Sequence, residues 1–276
     1  IAVAALQLLE KGMLAIDSSV RNYIPELPEE YEPITVRHLL CHQSGYPHYS
    51  NGKIKSMPKS SRLGQEMQDP LYSLRRFAGS PLLSEPGETY SYSSYGYMIL
   101  SAVVQRAGKQ PLMGQLDVRI VQPVGMKSFQ LDNTFRGQKD WAVGYSRKKK
   151  GPVEQVEEYA NYWKHGAGAY KSNIVDFAKW AQALMNGDLL GRDATKAMWT
   201  KQKLTSGERT DAGLGVFVTL QNRKLKVSHN GSHSEARSRM VLYPGEKHGI
   251  VVFSNCGYAE PARISTAIYR ALSGPG

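Results

Sequence analysis

The chain has 276 residues, enough to bury a full core as one intimate two-part domain or as two domains. Hydrophobic residues make up 41% and charged residues 21%, which excludes a disordered chain, and no run of 18 apolar residues offers a membrane-spanning helix. The 35 Lys and Arg against 24 Asp and Glu leave a net charge of +11, a balance that suits nucleic acid, a membrane surface or anionic substrates.

Residues 1–11 are apolar almost all round until Glu10, and Gly12 is a stop signal, so a buried helix is expected. No Ser, Thr, Asp or Asn caps its start, and the helix is expected to begin upstream of Ile1. Residues 17–33 are loop-like, with three prolines. A short helix over 35–42 is stopped by Ser44-Gly45, and the polar stretch 48–66 predicts an exposed excursion. A helix over 71–77 leads to the turn signal Pro86-Gly87. An amphipathic helix over 95–107 ends at Gly108, and a shorter one follows over 112–120. Residues 130–165 read as irregular; the run Arg147-Lys148-Lys149-Lys150 has no interleaved aromatics and reads as a solvated loop.

Ser172 is the expected cap of a helix with Phe177, Ala178, Ala181, Leu184 and Met185 on one face, ended by Gly187. After a short helix near Ala194 the period changes. Residues 213–220, 224–229, 237–243 and 250–254 read as strands, the last uniformly apolar and expected at the centre of a sheet. Pro261 opens a final helix. The order predicts an α+β fold: a mostly helical region over 1–165, then an α/β region over 166–276 with an antiparallel sheet and the C-terminal helix. Cys41 and Cys256 make no disulfide framework and read as small core residues.

Two tracts carry chemistry. The first is Pro86-Gly87-Glu88-Thr89-Tyr90-Ser91-Tyr92-Ser93-Ser94, a turn and loop that can aim a Tyr into a cleft just before a helix. The second is Ser228-His229-Asn230-Gly231-Ser232, at the end of one predicted strand, where Gly allows close approach of a substrate to the backbone. Taken alone, Tyr92 is one of 16 tyrosines and reads as a packing residue. His42 and His48 read as structural, Ser44 as a loop-packing residue, and His229 with His233 as a poor metal pair because Gly231 and strand patterns intervene.

Together these tracts resemble the serine β-lactamase and penicillin-binding-protein superfamily: class C β-lactamases, D,D-carboxypeptidases, related esterases and the mitochondrial serine β-lactamase-like protein. Tyr92-Ser93-Ser94 stands at the family's Tyr-x-Asn position and His229-Asn230-Gly231 at its Lys/His-x-Gly position. Further similar stretches are Ile34-Thr35-Val36-Arg37-His38-Leu39-Leu40, His42-Gln43-Ser44-Gly45, Gly166-Ala167-Gly168 with Ser172 and Asp176, and Val252-Phe253-Ser254-Asn255, so the likeness spans essentially the whole chain. It implies a β-lactamase/transpeptidase-like α+β fold and hydrolysis of an ester, amide or lactam through an acyl-enzyme. Tyr92, Ser94 and His229 would be catalytic; Asn230, Gly231 and Ser232 would line substrate, with the Ser232 N–H as an oxyanion donor.

Two departures matter: Ser94 replaces the usual Asn, with shorter reach, and His229 replaces the Lys of penicillin-processing members. The family's Ser-x-x-Lys nucleophile is expected upstream of Ile1, and the chain alone is expected to be inactive. The internal matches Ser50/Lys53, Ser56/Lys59 and Ser146/Lys149 lie in polar or basic loops and are chance matches of a short pattern. The resemblance implies no metal and no organic cofactor, a small-molecule or peptide substrate, no specific nucleic-acid partner, and a periplasmic or secreted setting. The alternative is a non-catalytic binding or scaffold homologue that has lost the nucleophile.

Overall fold

The computed structural model describes residues 1–54, 68–132, 141–148, 151–156 and 161–273. Helix α1 (Ala2–Glu10) is buried along nearly its whole length, as its all-round apolar sequence requires. Helix α2 (Val36–Leu40) starts at a capping box in which the Thr35 hydroxyl accepts from the His38 N–H and the His38 ring accepts from the Thr35 N–H. Helix α3 (Pro70–Ser73) continues as a 3-10 turn rather than as the single helix expected over 71–77. Helix α4 (Ser94–Gly108) is the long central helix, closed by Lys109 in the left-handed conformation. Helix α5 (Leu112–Leu116) runs on through a π-helical turn into α6 (Gln122–Val124).

Two small ribbons follow. Strand β1 (Gln130–Leu131) pairs with β4 (Tyr170–Lys171), and β2 (Tyr145–Arg147) pairs with β3 (Val153–Gln155), all antiparallel. Part of the stretch expected to be irregular is therefore a hairpin. Of the basic run, Lys149 and Lys150 lie outside the described residues, as do Ser56 and Lys59.

Helix α7 (Ile174–Asn186) is capped by Asn173, whose side-chain oxygen accepts from the Asp176 N–H at 2.8 Å. This corrects the expectation of Ser172, whose hydroxyl instead meets that of Ser128 at 3.2 Å. Asn173 has the short acceptor arm and the extended backbone that the cap position needs. Helix α8 (Arg192–Met198) then leads to the main sheet.

That sheet has the order β5-β6-β7-β8, with β5 (Phe217–Gln221), β6 (Lys224–Ser232), β7 (Arg237–Tyr243) and β8 (His248–Ser254), every neighbour antiparallel. The uniformly apolar strand is thus the last in this order among the described residues, not a central one. Its composition has another cause: helices lie on both of its faces. Phe253 stacks near Phe177 of α7 at 5.2 Å, while Ile250 and Val252 join Tyr269 of α9 (Pro261–Ser273). The architecture is α+β, with a main core that joins α1, α2 and α4 to Val218, Val227, Met240 and Leu242 of the sheet.

Candidate active site

Pro86-Gly87 makes the expected turn, with Gly87 at φ +86° and its N–H on the Gln43 carbonyl at 2.7 Å. The chain then runs beside the 42–48 loop to α4. Ser93 is the α4 N-cap: its hydroxyl accepts from the Gly96 N–H at 2.9 Å and donates to the Pro47 carbonyl at 2.8 Å. Tyr92 directly precedes this fixed point, so the cap holds its backbone.

The ring of Tyr92 is surrounded by three imidazoles. His42 lies 4.2 Å away between centroids, His48 5.5 Å away edge-on, and His229 6.4 Å away across the cleft. His42 is sandwiched, stacking on Tyr97 at 4.9 Å with its other neighbour Tyr92. Its Nδ1 accepts the Ser93 N–H at 3.2 Å, and the His48 Nδ1 accepts the Ser94 N–H at 3.2 Å. Both rings therefore carry their proton on Nε2 when neutral. Burial, with His229 and His48 nearby, pushes His42 down to about 3, so it is neutral at physiological pH. Burial also lowers His48 and His229. His42 adopts φ +57°, a left-handed conformation unusual for a non-glycine residue and frequent at sites where the surrounding structure enforces it.

Burial raises the Tyr92 phenol above its ordinary value, and a hydrogen bond with the Ser94 side chain partly offsets this. Tyr92 is thus a protonated phenol near neutral pH, and Ser94 touches it despite its shorter reach.

His229 sits on β6 opposite Met240, with its ring stacked on Phe217 at 5.9 Å. The pairing of β6 with β5 ends at Ser228, whose partner is Phe217, while residues 229–232 remain paired with β7. Past Ser228, the β5 side of β6 is an open edge. His233 donates its N–H across the hairpin to the Ala236 carbonyl at 2.9 Å, so alternation along the strand turns the Ser232 N–H toward that open edge. Asn230 does not face the cleft alone: its side-chain oxygen accepts from Arg239 on β7 at 2.6 Å. Gly231 faces Ser238, whose hydroxyl oxygen would lie 2.1 Å from any added Cβ.

The first turn of α1 closes the arrangement. Ala2 approaches Gly215, next to the Tyr97 hydroxyl. The structure thus brings Tyr92, Ser94 and His229 to one cleft and sets residues 230–232 along its strand wall. It adds His42, His48 and Phe217. Sequence reading took the two histidines as structural; their signal was the His-rich 42–48 loop beside the Pro86-Gly87 turn. Cys41 is inert here: its thiol donates to the Arg37 carbonyl at 3.0 Å and burial pushes it up to about 12. Ser44 accepts from the Tyr46 N–H at 3.2 Å, a local turn bond.

A family model described as Beta-lactamase matches residues 1–274. Penicillin-binding protein 4* of Bacillus subtilis (strain 168) is 26% identical over 270 residues, covering 92% of this chain and 58% of that protein. The chain spans between 50% and 58% of the length of the curated relatives most similar to it. Among solved structures, the octameric penicillin-binding protein homologue from Pyrococcus abyssi superposes with a TM-score of 0.79 at 22% identity, covering 100% of this chain and 64% of that one. A D-stereospecific amidohydrolase from Streptomyces sp. superposes with a TM-score of 0.75 at 20% identity, covering 96% and 82%. At these identities the structures establish a shared fold.

Proposed function

Since the chain belongs to the β-lactamase family, we propose that it carries the proton-transfer and oxyanion parts of a serine hydrolase that cleaves an ester, amide or lactam through an acyl-enzyme. The observation that carries this reading is the cleft itself: a protonated Tyr92 faces His229 across an open strand edge, and Ala2 of α1 packs on Gly215 beside the Tyr97 hydroxyl.

In this reading a Ser-x-x-Lys segment precedes Ile1 on the same helix, so that Ser and Lys share a face and the amine takes the hydroxyl proton. Tyr92 relays a proton to the leaving group and Ser94 orients its hydroxyl. The Ser232 N–H and the nucleophile's own N–H stabilise the oxyanion, an effect of about 3 kcal/mol per donor in acyl transfer. His229, held neutral by burial, polarises the site rather than anchoring a carboxylate as a Lys would. Water then releases the acyl group.

Intact-mass analysis with an activated ester and a fluorescent penicillin tests this on the protein with its native upstream sequence. One adduct on a serine before Ile1 is expected, with Tyr92→Phe slowing turnover by about 10²–10⁴. Residues 1–276 alone are expected to show no adduct. A stoichiometric adduct on any residue of this chain would sink the proposal, and an upstream sequence lacking Ser-x-x-Lys would favour a non-catalytic binding homologue.

A further inference from the structure

A pocket of about 490 Å³ opens past the end of β6, beyond the catalytic cleft. It begins at Ser232 and is lined by Tyr49, Asn161, Lys164, His233 and Arg237, with Glu235 on its wall. None of these except Ser232 has a part in the chemistry proposed above.

Among the described residues, the charges that line the pocket do not balance. Lys164 is partly buried, enough to lower its amine, and no carboxylate lies within ion-pair distance of it among the described residues. Nearby Asp132 is occupied by Lys171 at 2.7 Å and by the Asn161 amide at 3.1 Å. Arg237 is anchored on the backbone, donating to the carbonyls of His233 and Ala236. It too has no carboxylate partner among the described residues. Glu235 faces His233 at 3.7 Å and accepts from the Ser234 hydroxyl. Burial lowers His233, which is neutral near pH 7. Among the described residues, two cations thus face one anion.

The wall is also closely packed. Three glycines approach residues 233–235, two of them against side chains and one against the backbone. An added Cβ would lie 2.4 Å from Glu235 Cβ at Gly144, 2.4 Å from His233 Nε2 at Gly168, and 1.7 Å from the Ser234 carbonyl oxygen at Gly257. A cationic pocket whose wall is held in this way is pre-organised for a ligand.

We propose that this pocket is a subsite for a carboxylate carried by the substrate, so that the preferred substrates are acidic esters or amides. Lys164 and Arg237 would meet the carboxylate, Ser232 would join subsite to scissile carbonyl, and the substrate's charge would complete the balance. The substrate class rests on the acyl-transfer reading; the binding itself does not.

The test compares N-acetylglycine with N-acetylglycinamide, which differ by one charge, by NMR titration of the chain. Saturable amide shifts at Lys164 and residues 232–237 are expected for the acid. The amide should bind at least about tenfold more weakly, the value of one charge-assisted hydrogen bond. Lys164→Met and Arg237→Gln should each weaken the acid about tenfold, and Lys164→Arg should retain it. Equal binding of the two probes, or binding that both charge-removing variants leave unchanged, overturns the subsite. On the protein with its upstream sequence, hydrolysis without preference for acidic over neutral esters removes the subsite alone. Binding of N-acetylglycine here without any hydrolysis leaves the subsite and removes the acyl-transfer reading.

Discussion

His42 combines three constraints: a left-handed backbone, a ring stacked between two tyrosines, and an Nδ1 that must stay unprotonated to accept the Ser93 N–H. The pH consequence follows in sign and size. The ring is neutral in the fold down to about pH 3 but takes up a proton below about 6.5 once unfolded. Its contribution is present above pH 6.5 and is lost as pH falls toward 3, at about 1.4 kcal/mol per pH unit. Urea unfolding at pH 7 and pH 5 should therefore show falling stability, and His42→Asn, which tolerates this backbone and does not titrate, should flatten the slope by about one proton. An unchanged slope in the variant would show that His42 is protonated in the fold. The same stack explains why this residue escaped sequence reading: nothing in a one-dimensional pattern says that residue 42 lies against residues 92 and 97.

Among the elements, α7 shows what patterning reveals and what it hides. Its apolar face and its glycine stop were legible, because they follow from helical period and from Gly187 at φ +83°. Its cap was displaced by one residue, because Ser172 and Asn173 are both good caps and only the turn from β4 decides between them. Asp176 does more than the sequence indicates. Its carboxylate accepts from the Lys127 N–H at 2.7 Å, the Ser128 N–H at 2.6 Å and the Ser128 hydroxyl at 2.7 Å, which hold it down at about 2. Asp176→Ala should destabilise by about 2–4 kcal/mol, since it strands three donors, and Asn173→Ala by about 1 kcal/mol. Thermal unfolding of both variants checks the order; equal losses would mean that the carboxylate does not clamp the 127–128 loop. The strand β8 was misplaced for a related reason. A run apolar on both faces signals cover on both faces, and here helices supply it to a strand that is last in the order among the described residues.

At the scale of the molecule, one core serves both the helices and the sheet. Leu6, Leu40 and Val103 share it with Val227 and Leu242, all essentially without exposure. The helix-first, sheet-later order of the sequence is thus an order along the chain, and the packing runs across it. Leu6→Ala should cost about 2–5 kcal/mol and shift far-UV dichroism and tryptophan fluorescence together. Two separated transitions would show that the helical and sheet parts unfold independently. The catalytic motifs were legible because each is local, a turn before a helix and the end of a strand. Their distance of 137 residues in sequence from Tyr92 to His229 is closed by this core.

The three glycines around the 233–236 turn bear on how such a protein changes its tastes. At 144 and 168 the missing methyl groups make room for the side chains of Glu235 and His233 themselves, and at 257 for the Ser234 backbone. Exchanging residue 233 or 235 therefore changes the packing behind the wall, and exchanging Arg237 releases the His233 and Ala236 carbonyls, so a new selectivity calls for paired changes in the wall and its support. Residues 144, 168 and 257 are the supporting half of each such pair.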